Sequence, residues 1–156
     1  GCLGTASMLK VMTNYLATAN LVACCEALTT MKGAGLDLAK TFEAIKISSG
    51  NSFVHETESQ VILNGSRNID FTMALVLKDI KMFQELAEAN SIPLDISPKL
   101  IEIFNEGISS FGSDTNSPSI IKRLEIKTGL NVTAPGFPSQ IVDSEPEKRG
   151  FEVRLT

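Results

Sequence analysis

Tryptophan is missing from this 156-residue chain, histidine occurs once, and lysine and arginine are nowhere concentrated. Nucleic-acid binding needs clustered cations to meet phosphates, so a net charge of -4 with no basic stripe excludes nucleic acid as a partner. The lone histidine, His55, has no second ligand at helical spacing, and no metal is expected. A solvated or capping role is expected for it instead. The three cysteines are too few and too oddly spaced for a disulfide framework, with Cys24 and Cys25 adjacent in a helical stretch. They read as small core residues in a reducing compartment. Also lacking is a basic leader before the apolar opening run, and that run carries Lys10, Asn14 and Glu26, which fits neither a signal peptide nor a membrane span. A soluble, cytoplasmic protein is expected, without a membrane partner.

What is present is helical periodicity from end to end of residues 5–128. The length suits one domain with one core. Apolar or small residues fill almost every position from Ala6 to Met31, which predicts a long first helix, Thr5 to about Lys32, buried on most sides and stopped by Gly33 and Gly35. Asp37 caps a second helix, Leu38 to about Ser48, and Asn51 or Ser52 opens a third that runs to Asn64. After a polar linker ending in Phe71, a fourth helix spans Thr72 to about Asn90. It has two apolar strips, one with Met73, Val76 and Ile80 and the other with Leu75 and Met82, and Lys78 lies on the second. Ser97-Pro98 and Ser117-Pro118 read as start signals for a fifth and a sixth helix. The expected architecture is all-α, about six helices around the first, over residues 1–129.

From Leu130 onward, Pro135, Pro138 and Pro146 rule out another long helix, so residues 130–156 are expected to be an extended tail. Alternation of Phe151, Val153 and Leu155 with polar residues fits a short terminal strand or arm. The solvated face of the sixth helix is expected to hold Lys122, Arg123 and Lys127, and Glu26 is expected to find a structural hydrogen-bond partner.

Lys10 is the first charge of the opening helix, and Asn14 lies one turn further on the same face. An ammonium and a carboxamide so placed converge on one oxygen of a bound molecule, and small neighbours such as Ala6, Ser7 and Ala17 leave room for it. Burial there would ease deprotonation of the lysine and suit it to acid and base work. The same spacing is equally open to a lysine snorkelling to water. Gly1 and Gly4 do not make a dinucleotide loop, because no strand precedes them and the third glycine is missing. No nucleophile, base and orienter set for acyl transfer is present.

The run Gly1-x-x-Gly4-x-Ala6-x-x-x-Lys10-x-x-x-Asn14, then Ala23-x-x-Glu26-Ala27, Gly33-x-Gly35-Leu36-Asp37, Ser49-Gly50, Phe71, Leu77-Lys78-Asp79-Ile80 and Pro93, resembles the C-terminal domain of the β-hydroxyacid dehydrogenases. That family includes 3-hydroxyisobutyrate dehydrogenase, tartronate semialdehyde reductase and, more distantly, 6-phosphogluconate dehydrogenase. The resemblance covers roughly residues 1–127. It implies that Lys10 is the general acid and base, that Asn14 orients the substrate, and that Lys78, Phe71 and Asp79 lie by the nicotinamide end of an NAD or NADP cofactor. It also implies a small hydroxy acid or semialdehyde as substrate and pairing into a homodimer or higher oligomer through this domain. Two positions depart from the family pattern: Ala6 stands where glycine is frequent, and Thr13 where a further asparagine is.

The family's N-terminal Rossmann half, with its phosphate and carboxylate loops, has no counterpart in these residues. The chain is therefore expected to be a piece of a longer enzyme and to be inactive as a fragment. The competing expectation is a non-enzymatic helical module for dimerisation, its active-site face vestigial.

Overall fold

Local capping decides where most elements start. In the computed structural model, which describes residues 3–141, α1 (Thr5–Gly33) ends where Gly35 takes a positive φ of 80° and lets Leu36 donate back to the Met31 carbonyl. The Asp37 carboxylate accepts from the Lys40 amide and starts α2 (Leu38–Lys46). Ser52 does the same for α3 (Phe53–Asn64), and Thr72 for α4 (Met73–Ala89). Gly65, at φ 90°, closes α3 in a conformation that a side chain disfavours.

Two start signals act differently from expectation. α5 (Ile96–Phe111) begins before Ser97, which is buried inside the first turn rather than capping it. Pro98 tolerates this, because amides of the first turn have no intrahelical acceptor to lose. After Ser117-Pro118 comes a short 3-10 turn, Ser117–Ile121, that passes directly into α6 (Lys122–Thr128).

Among the described residues there is no strand beyond an isolated antiparallel bridge between Thr72 and Asn116. The fold is all-α, as expected. The core is one cluster in which Leu28 of α1, Ile62 and Leu63 of α3, Ile80 of α4, Phe104 of α5 and Ile121 meet. Each such side chain, taken fully from water, stabilises the fold by roughly 1.5–3 kcal/mol.

Several expectations need correction. α1 is buried along one face only: Val11, Thr18, Leu21, Cys25 and Leu28 face the core, while Leu9 and Leu16 are 56% and 51% exposed. The second strip of α4 is also open, with Leu75 and Met82 exposed. His55 is not solvated but fully buried; its Nε2 lies 2.9 Å from the Phe42 carbonyl and its ring packs tilted on that phenyl group. Burial lowers its pKa from the ordinary value. Glu26 is exposed. Arg123 and Lys127 are not simply solvated, since both pair with Glu106 of α5 and draw its carboxyl down to about 2.

Residues 130–141 follow the helices in extended form and are pinned at several points. Val132 is fully buried, the Ala134 amide donates to the Leu63 carbonyl at 2.9 Å, and the Asn64 carboxamide donates to the Phe137 carbonyl at 2.8 Å. Phe137 meets Phe42 edge-on, ring centroids 5.1 Å apart. The proposed strand at Phe151 to Leu155 lies outside the described residues.

Candidate functional site

α1 and α4 lie against each other in a register marked by one aromatic pair. Tyr15 stacks on Phe83 with ring centroids 4.1 Å apart and planes 13° from parallel. Asp79 sits one turn before Phe83 on α4, and Asn14 directly before Tyr15 on α1, so the same packing brings carboxylate and carboxamide together. Asn14 Nδ2 donates to Asp79 Oδ2 at 2.5 Å, and Lys10 Nζ reaches the same oxygen at 3.3 Å.

Burial differs sharply across this trio. The Asp79 side chain is 5% exposed and that of Lys10 is 63% exposed. A buried carboxylate requires hydrogen bonds and a countercharge, and Asp79 has both. Lys10 keeps most of its ammonium in the open, so the burial expected of it is not supplied by these residues. An ammonium has three donors, and only one is engaged with Asp79. Asn14 is fixed in orientation as well: a carboxylate only accepts, so the amide nitrogen faces Asp79 and the carbonyl oxygen faces elsewhere.

Beneath Asn14 lies a cavity of about 310 Å³, walled by Ala17 and Leu21 of α1, Val54 and Glu58 of α3, Phe71, and Val76 of α4. Ile141, at the end of the described tail, contributes to the same wall. A second, wider groove of about 590 Å³ runs between the end of α1 and α2, past Met31, Leu36 and Ile45. That groove is lined by none of Lys10, Asn14 or Asp79.

Lys10, Asn14 and Asp79 thus converge, and Phe71 shares the cavity with Asn14. Lys78 follows its own course: it is exposed, beside the open Leu75 and Met82, and takes no part in a hydrogen bond or ion pair among the described residues. Sequence reasoning missed Glu58. Its signal was present, since it stands four residues after Val54 and four before Ile62 on the apolar stripe of α3. Burial pushes its carboxyl up to about 7, and its Oε2 is closed from solvent without a protein partner.

No cluster of three or more metal-ligating side chains occurs among the described residues, and none of their helices is long and apolar enough to cross a membrane.

The family model described as NAD-binding of NADP-dependent 3-hydroxyisobutyrate dehydrogenase matches residues 4–124. The 2-(hydroxymethyl)glutarate dehydrogenase of Eubacterium barkeri is 28% identical over 134 residues, covering 85% of this chain and 44% of that protein. The L-threonate dehydrogenase of Escherichia coli K12 is 23% identical over 137 residues, 87% of this chain and 43% of that one. The crystal structure of 3-hydroxyisobutyrate dehydrogenase from Salmonella typhimurium superposes with a TM-score of 0.70 at 22% identity, covering 77% of this chain and 42% of that chain. The chain spans less than half the length of the relatives it matches.

Proposed function

The chain belongs to the 3-hydroxyisobutyrate dehydrogenase family, in the part described as NAD-binding, and from that premise we propose that it is the helical half of a longer β-hydroxyacid dehydrogenase. Residues 1–129 form its catalytic and pairing domain; residues 130–141 follow in extended form, and the rest of the expected tail lies outside the described residues. The substrate is a small 3-hydroxy acid or the matching semialdehyde. The observation that carries this reading is the single Asp79 oxygen that holds Lys10 and Asn14 side by side.

Lys10 is the general acid and base. Its two remaining donors point an ammonium at the reacting oxygen, giving a proton as a carbonyl is reduced and taking one as a hydroxyl is oxidised. Asn14 orients that same oxygen through the groups not committed to Asp79. Asp79 holds both in place.

Lys78, exposed next in sequence to Asp79, and Phe71, on the cavity wall, are the residues that would meet an NAD or NADP cofactor. When bound, its nicotinamide supplies or accepts the hydride. Exposed Leu75 and Met82 on either side of Lys78 support a covering surface there, contributed by the cofactor-binding half of the longer protein. The open leucines of α1 support pairing between copies. Two buried free thiols, Cys24 and Cys25, support a reducing, cytoplasmic setting.

Lys10→Ala in the longer protein is expected to lower turnover about 10²–10⁴-fold while cofactor binding, read by nicotinamide fluorescence, is retained. Near-normal turnover would sink the assignment. The 156-residue chain alone is expected to show no dehydrogenase activity.

A further inference from the structure

The cavity under Asn14 is mostly hydrocarbon, and its few polar groups are not equally free. Thr18 donates its hydroxyl to the Asn14 carbonyl at 2.9 Å, and Thr57 donates to the Phe53 carbonyl at 2.7 Å. Both are committed to their own helices. Glu58 is different: it lines the cavity, its carboxyl takes part in no hydrogen bond among the described residues, and with Oε2 packed against protein it is Oε1 that is left to face an occupant. A half-buried carboxyl without a hydrogen bond weakens the fold, and an occupant that bonds to its open oxygen offsets that cost. Asn14, also on the cavity wall, has given one amide proton to Asp79 and keeps its carbonyl oxygen.

We propose that this cavity receives the part of the substrate beyond its reacting carbon, and that Glu58 recognises a hydroxyl group at the far end of that part. The word substrate rests on the dehydrogenase reading; occupation of the cavity does not. A volume of about 310 Å³ sits at the small end of ligand pockets, suited to a chain of a few carbons. Ala17, Leu21, Val54 and Val76 would meet its methylenes.

A hydroxyl is the group that Glu58 accommodates in either protonation state, since it donates to a carboxylate and accepts from a carboxylic acid. With burial holding the carboxyl near 7, both states are accessible at neutral pH. An ammonium would require the ionised form and the desolvation of two charges in an apolar chamber, which burial opposes. A methyl group would leave the oxygen unmatched. Specificity for hydroxyl over methyl follows from that mismatch rather than from shape.

The test uses the 156-residue chain with 1,4-butanediol, 1-butanol and butylammonium as probes, followed by NMR at the methyl groups of Leu21, Val54 and Val76. Saturable shifts with butanediol, at a concentration at least tenfold below that needed for butanol, are expected. Glu58→Leu should abolish this preference, and Glu58→Gln, which keeps both a donor and an acceptor, should retain most of it. Circular dichroism checks that each variant is folded. Tighter binding of butylammonium than of the diol would overturn the hydroxyl assignment, and absence of saturable shifts with every probe would overturn the cavity itself. In the longer protein, Glu58→Leu should raise at least tenfold the ratio of KM for a hydroxyl-tailed substrate to KM for 3-hydroxypropionate. Failure to turn over any hydroxy acid would count against the dehydrogenase reading alone, because the NMR result is independent of turnover.

Discussion

Asp79 Oδ2 lies 2.5 Å from Asn14 Nδ2, a contact between two helices 65 residues apart in sequence. It makes Asp79 the hinge of the site, since the same oxygen also faces Lys10. Asp79→Ala removes the acceptor from a half-buried amide and leaves the solvated lysine free to wander. Urea unfolding of the chain should register a loss of about 1–3 kcal/mol, and turnover of the longer protein should fall at least tenfold. An unchanged unfolding midpoint would mean that the contact carries no stability.

Two groups on α3 respond to pH in opposite directions. Glu58 has its pKa raised from 4.5 to about 7, so between those values the folded chain keeps a proton that the unfolded chain has released. Its contribution to stability therefore falls as pH rises through that window, and Glu58→Gln should recover on the order of 1–3 kcal/mol at pH 8. His55 is shifted the other way, below its ordinary 6.5, by burial. The unfolded chain takes up a proton first as pH drops, and stability is lost on going below 6.5. Wild-type stability between pH 5 and 7 therefore carries two opposed contributions, that of Glu58 falling and that of His55 rising as pH increases. In Glu58→Gln the His55 effect stands alone, and stability should fall on acidification; a profile parallel to wild type would refute the assignment.

Gly107, buried in the middle of α5, has no room for a side chain. A Cβ there would stand 2.5 Å from Ile120 Cδ1 and 3.1 Å from Met73 Sδ, both themselves packed in the core. Helix propensity alone would favour replacement. Gly107→Val is nevertheless expected to destabilise the chain by about 1–3 kcal/mol through overpacking, seen as a lower Tm. A raised Tm would show that α5 can move away from the 3-10 turn.

Pairing through α1 makes a sharp prediction as well. Leu16→Glu places a charge on a surface that is already exposed, so the monomer's helicity should be unaffected. Sedimentation should show association of the unaltered chain and its loss in the variant. A monomeric unaltered chain at high micromolar concentration would remove α1 as the pairing face.

Capping residues and helical stops were readable along the chain, which is why Asp37, Ser52 and Thr72 open the helices expected of them. Lys10 and Asn14 were readable because four-residue spacing is a local property of a helix. Asp79's part in holding them was not, because it depends on how α1 meets α4, and no local pattern encodes that. His55 was misread for a similar reason: a polar residue among Glu56, Thr57 and Glu58 gives no hint that the Phe42 carbonyl waits for it across a helix boundary. Glu58 followed the rule already applied to Lys78, a charge interrupting an apolar stripe, but only on α3 does the neighbouring packing close over it.

Ile141 belongs to the wall of the chamber under Asn14, although it comes from the extended segment and not from a helix. That segment runs from Leu130 with no periodic constraint on its length, held by a few bonds to the end of α3 and the loop after it. An insertion or deletion between these anchors would reshape the chamber's closure without disturbing a single helix–helix contact. The shape of the chamber and the stability of the fold can therefore diverge independently, the one drifting with the extended segment and the other held by the bundle.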